Sequence, residues 1–270
     1  KTIGQSAFST TKIKNVSIPE GATSIGQYVF NNCYFLENAI YPSSAGRIPQ
    51  YAFYCCYNLR TFPIPEGITS IGSYAFHYCS QFNPRFPSSL NYIYHYAFTG
   101  TATDELIVTE NMTVCYGAFN NCNSLVYAEW PTSFAAGTGG RYSNDPSYSV
   151  VNYCPKLNTV KLKSPTVVAL SSKSFFDGND MSNITLQVPD YLEFAYRLDP
   201  YWYQCNVESF SSADITDYSI KKPLVLNDGQ RIGGTPNLHF SGSEAQFTVN
   251  GNDAQTIKDL KIDFSPKGFN

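Results

Sequence analysis

The chain reads as a repeat solenoid followed by a small β-rich tail, and three observations predict this. A recurring Phe falls at Phe8, Phe30, Phe53, Phe76, Phe98 and Phe119, spaced 22, 23, 23, 22 and 21 residues apart. Five residues before each stands an aliphatic residue: Ile3, Ile25, Ile48, Ile71, Ile93 and Val114. Three residues after stands Cys33, Cys56, Cys79 or Cys122, with Thr11 and Thr101 as exceptions, and six after lies Leu36, Leu59, Phe82 or Leu125. Most units then close on a short apolar run ending in Pro, as in VSIP (16–19), AIYP (39–42), FPIP (62–65), RFP (85–87) and AEWP (128–131). Columns matched over this many copies mark an internal repeat.

A period of 22–23 residues with one strand per unit is that of the leucine-rich-repeat class of solenoid. One unit cannot bury its own apolar face, so stacked units bury it against each other and the columns become ladders along one core. The parallel strand is expected in L-x-x-φ-x-φ-P, for instance Leu59 to Pro65. Leu59, Phe62 and Ile64 would face inward, and Thr61 and Pro63 outward. The G-x-Y-A-F stretch is expected as a short helical or turn-like segment on the convex side.

After Pro131 the frame weakens. Residues 132–149 are rich in Gly, Ser and Thr and read as an insertion loop. VVNYCPKLNTVKL (150–162) restores the frame, and a last degenerate unit runs through SFF (174–176) to ITLQVP (184–189). DYLEFAYRLDPYW then predicts an amphipathic helix over about 190–199, with Asp190 as N-cap and a stop near Pro200. Covering the open end of the solenoid is its expected task. The solenoid is thus assigned to 1–210. In 211–270 the runs LVLN (224–227), LHF (238–240), QFTV (246–249) and DLKIDF (259–264) read as short strands between NDGQ, GGTP and NGND turns. Sixty residues make a small core. This tail is expected either to dock on the solenoid or to be part of a larger β-domain.

Composition narrows the function. Charged residues make up 14% of the 270, the formal net charge is -3, and no basic stripe is present, which argues against nucleic acid. No apolar run approaches the roughly 18 residues of a membrane span. The chain opens at Lys1 inside a repeat and reads as processed or trimmed. Low charge with abundant Tyr, Asn, Ser and Thr fits an extracellular surface.

The stretches IPEGATSIGQYVFNNCYFL (18–36) and IPEGITSIGSYAFHYC (64–79), with the ending ITLQVPDYLEFAYRLDPYW, resemble the BspA-like leucine-rich repeats of bacterial surface proteins. The resemblance covers about residues 1–208. It implies a secreted or surface-anchored, extracellular protein, with roles in adhesion to host proteins, matrix or other cells, and it brings no catalytic residues. The unit at 93–113 departs most, lacking the Cys and replacing the usual strand ending with ATDELIVTENM.

Candidate chemistry is sparse. Five of the eight cysteines (33, 56, 79, 122, 154) share one column. Disulfides between column neighbours need Cβ atoms about 3.8 Å apart, closer than the roughly 4.8 Å between stacked strands. Zinc-type C-x-x-C spacing is missing. Buried free thiols are therefore expected, with disulfides or metal ligation as the alternatives. His77 sits where other units place Asn31, Tyr54 or Asn120, and reads as a tolerated surface residue. With His95 and His239 it makes no catalytic or zinc spacing. The acidic turns DGND (177–180), NDGQ (227–230) and NGND (250–253) lack the ligand alternation of a calcium loop and read as turns. The column Tyr28, Tyr51, Tyr74 and Tyr96 reads as an architectural stack, with ligand contact as the alternative.

The outward strand positions vary from unit to unit: Asn15 and Ser17, Asn38 and Ile40, Thr61 and Pro63, Tyr127 and Glu129, Thr159 and Lys161. These ten residues are the candidate ligand-facing set on the concave sheet. The expected function is a non-enzymatic recognition or adhesion module that binds a protein or glycan without a cofactor. The alternative is a structural spacer that presents neighbouring domains.

Overall fold

The computed structural model describes residues 1–134, 150–168 and 177–211 in full, and the backbone of strands at 225–226, 244–249 and 254–258. The chain winds as a parallel-stranded solenoid of about eight turns. In chain order its strands are β1 (Thr2–Ile3), β2 (Asn15–Ser17), β3 (Ser24–Ile25), β4 (Asn38–Ile40), β5 (Arg47–Ile48), β6 (Ser70–Ile71) and β7 (Tyr92–Ile93). They continue as β8 (Glu105–Ile107), β9 (Thr113–Val114), β10 (Tyr127–Trp130), β11 (Thr159–Leu162), β12 (Thr185–Pro189) and β13 (Asn206–Phe210).

Two strand ladders run along the solenoid. The first comprises β2–β4 and then β8–β10–β11–β12–β13, all parallel; the unit-closing apolar runs foresaw it except at β8 and β13, where the sequence pattern assigned no strand. The second comprises β1–β3 and β5–β6–β7–β9, built from the T-S-I segments, and sequence reasoning assigned no strand there.

Proline explains where both ladders break. In the second, Gly26 N–H donates to Ile3 O and Gly72 N–H to Ile48 O, each at 2.8–2.9 Å. Pro49, 23 residues from each, has no N–H to give to the coil before it, and β3 does not pair with β5. In the first ladder the strand expected at Leu59–Pro65 is reduced to one bridge, Asn38 to Thr61. Pro63 and Pro65 supply no N–H, and the next coil repeats the problem with Pro84 and Pro87.

The third wall carries the G-x-Y-A-F segments, which are turns. Each coil donates three alternate amides to the next: Tyr51 to Ser73 O, Phe53 to Ala75 O and Cys55 to His77 O, at 2.7–3.0 Å. Tyr51 and Cys55 reach this geometry with φ of 55° and 57°, and Tyr74 and Tyr78 repeat it one coil later. A left-handed residue other than Gly costs about 1–2 kcal/mol, which the inter-coil bonds and ring stacking offset. At Gly117 (φ +69°) the same position takes glycine, because a Cβ there would lie 2.4 Å from the Tyr96 ring.

The core follows the predicted columns. The rings of Phe8, Phe30, Phe53, Phe76, Phe98 and Phe119 stack with centroids 5.2–5.3 Å apart. All but Phe8 are fully buried, each contributing about 1.5–3 kcal/mol. The column cysteines are buried thiols with a bonding role: Cys33, Cys56, Cys79, Cys122 and Cys154 donate from Sγ to the Phe carbonyl one coil back, at 3.0–3.3 Å. Thr11 and Thr101 turn their hydroxyls to the Phe carbonyl of their own coil, at 2.8 Å.

At the C-terminal end a 3-10 turn (Asp190–Leu192) leads into helix α1 (Glu193–Leu198), so the helix starts three residues later than the Asp190 cap predicts. Val168 N–H donates to Tyr196 Oη at 3.0 Å, and Trp202 Nε1 donates to Val168 O at 2.7 Å, with both rings fully buried. In the tail β14 (Val225–Leu226), β15 (Glu244–Val249) and β16 (Ala254–Lys258) form a sheet, parallel then antiparallel. The predicted strands at LVLN and QFTV fall on β14 and β15. β16 lies where none was predicted, and LHF, DLKIDF, SFF (174–176) and residues 135–149 of the insertion lie outside the described residues.

Two outcomes are expected. The eight thiols react with a thiol reagent only on unfolding, since all eight are buried; at Cys115 and Cys205 burial also pushes the thiol up to about 11 and about 12, away from the reactive thiolate. Mass spectrometry of alkylated native protein checks this. Gly72→Ala, whose Cβ would meet Gln50 N at 2.5 Å, lowers stability in urea unfolding by about 1–3 kcal/mol. Gly4→Ala, with nothing within 4 Å, changes it by less than about 0.5 kcal/mol.

Candidate functional site

Alternation along each strand puts one set of side chains into the core and the other on the open face of the first ladder. On β10 Ala128 and Trp130 are buried while Tyr127 and Glu129 face out. On β11 Val160 and Leu162 are buried while Thr159 and Lys161 face out. Strand register aligns these residues in two rows. One is Glu105, Tyr127, Thr159, Thr185 and Asn206, and the other is Ile107, Glu129, Lys161, Gln187 and Glu208. Four of the ten candidates therefore meet on one five-stranded sheet. Glu105, Ile107, Gln187 and Glu208 belong beside them. The x-φ-x-φ alternation of ELIV and TLQV carried that signal, but neither segment follows the full unit frame.

This sheet is electrostatically knit. Tyr127 donates its hydroxyl to Glu129 at 2.6 Å, and Lys163, just past the end of β11, pairs with the same carboxylate. Burial pushes the Glu129 carboxyl up, but the bonds from Lys163 and Tyr127 outweigh it and hold the group below the usual range. Tyr127 is shifted upward by burial and by that carboxylate. Both residues are half-buried and committed to each other. Lys161 places its ammonium over the Phe210 ring, 4.6 Å from the centroid.

Four of the other candidates sit on a separate, smaller sheet. Asn15 and Ser17 pair with Asn38 and Ile40. Asn38 Nδ2 donates to Asn15 Oδ1 at 2.7 Å, and Ile40 is 58% exposed. Thr61 and Pro63 are exposed but lie on no strand, contrary to their assignment to a continuous sheet; Pro63 cannot continue the ladder.

Between the two sheets the face opens into a slot of about 340 Å³, beside β8. Its walls are mainly apolar, with Pro84, Phe86 and Pro87 on one side and Ile107 and Met112 on the other. Arg85 bridges to Asp104 at 3.1 Å next to it.

The remaining sequence candidates resolve into structure. The tyrosine column stacks at 4.7–5.0 Å from Tyr28 through Tyr51 and Tyr74 to Tyr96, so its ring faces are spent on each other. In the DGND turn Asp180 accepts bonds from Ser182 and Asn183, and Asn179 bonds Cys154 N and Val151 O. NDGQ, NGND and His239 lie outside the described residues. His77 is not the surface residue its column suggested. It stacks on Tyr54 at 5.1 Å, leans on Tyr74 and meets Tyr78 edge-on, with Nδ1 buried and unbonded. Aromatic neighbours on three sides explain the difference, since a ring fits this gap as Tyr54 does one coil earlier. Among the described residues no cluster of three or more His, Cys, Asp or Glu could hold a metal, and no helix is long and apolar enough to cross a membrane.

A family model described as "BspA type Leucine rich repeat region" matches residues 1–134 in six copies. A search of curated proteins found no match. Among solved structures, the pneumococcal vaccine antigen PcpA is similar over 78% of this chain and 59% of its own, with 14% identity and a TM-score of 0.52. A leucine-rich repeat protein from Bacteroides ovatus is similar at 20% identity over 78% of this chain and 70% of its own, with a TM-score of 0.45. A leucine rich cell surface protein from Faecalibacterium prausnitzii is similar at 18% identity over 81% and 86%, with a TM-score of 0.43. The PcpA likeness is one of fold, and this chain spans less than two thirds of that protein.

One pH effect follows from His77. Burial lowers it from 6.5 to about 4, so the unfolded chain binds the extra proton between those values, and stability falls as pH drops from about 6.5 toward 4. Carboxylates held low by amide bonds, such as Glu20 to Ser43 N–H, act further down, below about 4.5. His77→Tyr, which keeps a stacked ring, is expected to lose less stability than wild type between pH 7 and pH 4.5 in urea titrations.

Proposed function

Given that residues 1–134 are a BspA-type leucine-rich-repeat region, we propose that the protein is a non-enzymatic recognition module of the bacterial cell surface. It binds a protein or glycan through the open face of its first ladder. The observation that carries this is the row Ile107, Glu129, Lys161, Gln187 and Glu208. No two neighbours in it are alike, while the inward residues beside them (Leu106, Ala128, Val160, Leu186 and Val207) are uniformly apolar and buried. Architecture fixes the inward set and leaves the outward set free to be shaped by a partner. The surface placement implied by the family, and the low charge of the chain, support an extracellular setting. Binding by many small contacts on a wide face needs no cofactor and no catalytic group, and the residues on that face are suited to it.

A glycan and matrix-protein array probed with the whole chain tests this. Saturable binding is expected to one class of target. Lys161→Ala and Gln187→Ala weaken it at least tenfold, and Tyr34→Ser, on an exposed turn far along the chain from the five-stranded sheet, leaves it unchanged. Binding that survives both face substitutions rules out the face as the recognition surface.

A further inference from the structure

The first ladder is interrupted in the middle of the solenoid rather than at an end. The second ladder continues unbroken through Ile71, Ile93 and Val114, and the Phe stack runs on through Phe76, Phe98 and Phe119. The coils are therefore stacked at the break, yet among the described residues β8 pairs on one edge, with β10, and not on the other. The bonds flanking that pairing fix which groups face which way. Val126 N–H donates to Asp104 O and Val108 N–H donates to Glu129 O, both at 2.9 Å. Since bonding direction alternates along a strand, Leu106 faces β10, and the N–H and C=O of Glu105 and Ile107 point to the open side.

We propose that this open edge and the slot beside it form a docking site for an extended peptide, which adds as a strand to β8 and seats an apolar side chain in the slot. The proposal deepens the recognition role argued above and rests on it.

The chain's own neighbour cannot fill the edge. Pro84 and Pro87 have no N–H, and the carbonyl of Pro84 accepts from the Arg85 guanidinium at 3.0 Å. What β8 offers is a donor and an acceptor on each of two residues about 6.6 Å apart, the repeat of an extended peptide backbone. Strand addition takes its affinity from such bonds and its specificity from pockets for alternate side chains. The slot supplies one: about 340 Å³, at the small end of ligand-sized cavities. Phe86 and Met112 line it, and Ile107 is 43% exposed at its mouth. Glu105 adds the charge. Its carboxylate is exposed on the rim and, among the described residues, makes no ion pair, so a Lys or Arg in the peptide complements it. Sugar hydroxyls do not carry this backbone register, which is what favours a peptide at a slot whose rim also holds Arg85, Ser88, Glu105 and Thr109.

The test uses the whole chain and an array of acetylated pentapeptides with Leu, Val, Ile or Phe at the second position and Lys or Arg at the third. Each has a counterpart N-methylated at alternate backbone positions. Saturable binding is expected for a subset, weakened at least tenfold by N-methylation. Ile107→Pro removes the edge donor at a position where proline is tolerated, because that N–H pairs with nothing among the described residues; it should weaken binding equally. Glu105→Lys should invert the preference for basic peptides. If Ile107→Pro fails to fold, the N-methylated peptides decide alone. Equal binding of methylated and unmethylated peptides overturns the proposal, as does displacement of bound peptide by a soluble oligosaccharide mixture. Absence of peptide binding, in a protein that still binds an array target through Lys161 and Gln187, overturns the strand-addition site and leaves the wider recognition role standing.

Discussion

Backbone satisfaction between coils is the constraint on which the rest depends. No coil satisfies all of its backbone groups by itself; alternate amides on all three walls must find carbonyls in a neighbouring coil. That requirement sets the coil spacing, and the spacing sets everything packed inside it. Phe rings lie 5.2–5.3 Å apart because the backbones that carry them are bonded at 2.7–2.9 Å. The thiol column belongs to the same economy. The carbonyls of Phe8, Phe30, Phe53 and Phe98 each accept the amide three residues on, and the Cys of the next coil gives each a second, weaker donor. A small apolar side chain with one S–H fits that place better than a larger or more polar one.

The same constraint explains an outer feature with a two-coil period. Glu20, Glu66 and Glu110 each cap backbone amides of the following coil, at Ser43, Ser88 and Thr132. The amide bond from Ser43 is the main cause of the lowered Glu20 carboxyl, and that from Ser88 of the lowered Glu66. Where no amide exists to be bonded, the ladder parts. Pro49 splits the second ladder, and the Pro63–Pro87 region splits the first. At the second break a cavity opens, where two successive coils lack donors and Phe86 turns its ring toward Phe98 and Phe119.

Much of this was legible in the sequence. The Phe, Cys and Leu columns report burial directly, since every coil must present the same shape to its neighbour. The outward row on β10 and β11 followed from strand alternation. The second ladder was not legible, because two-residue strands such as Ser70–Ile71 leave no alternation to read. Nor were the ladder breaks: the prolines were read as unit closers, and only the register shows which of them stands where a donor is needed. His77 was misread for a related reason. A column that holds Asn31, Tyr54 and Asn120 looks tolerant, yet the gap at each coil is set by the rings on its own neighbours. Glu105 and Ile107 lie in the unit that departs most from the frame, so the site falls where the pattern is weakest.

The central claim is that a ladder edge lies open in the middle of an otherwise continuous solenoid. Amide hydrogen exchange resolved to single residues addresses it without a ligand. The account predicts slow exchange at Leu106 and Val108, which are bonded to β10, and fast exchange at Glu105 and Ile107 between and beside them. Protection at Glu105 and Ile107 equal to that at Leu106 would contradict it.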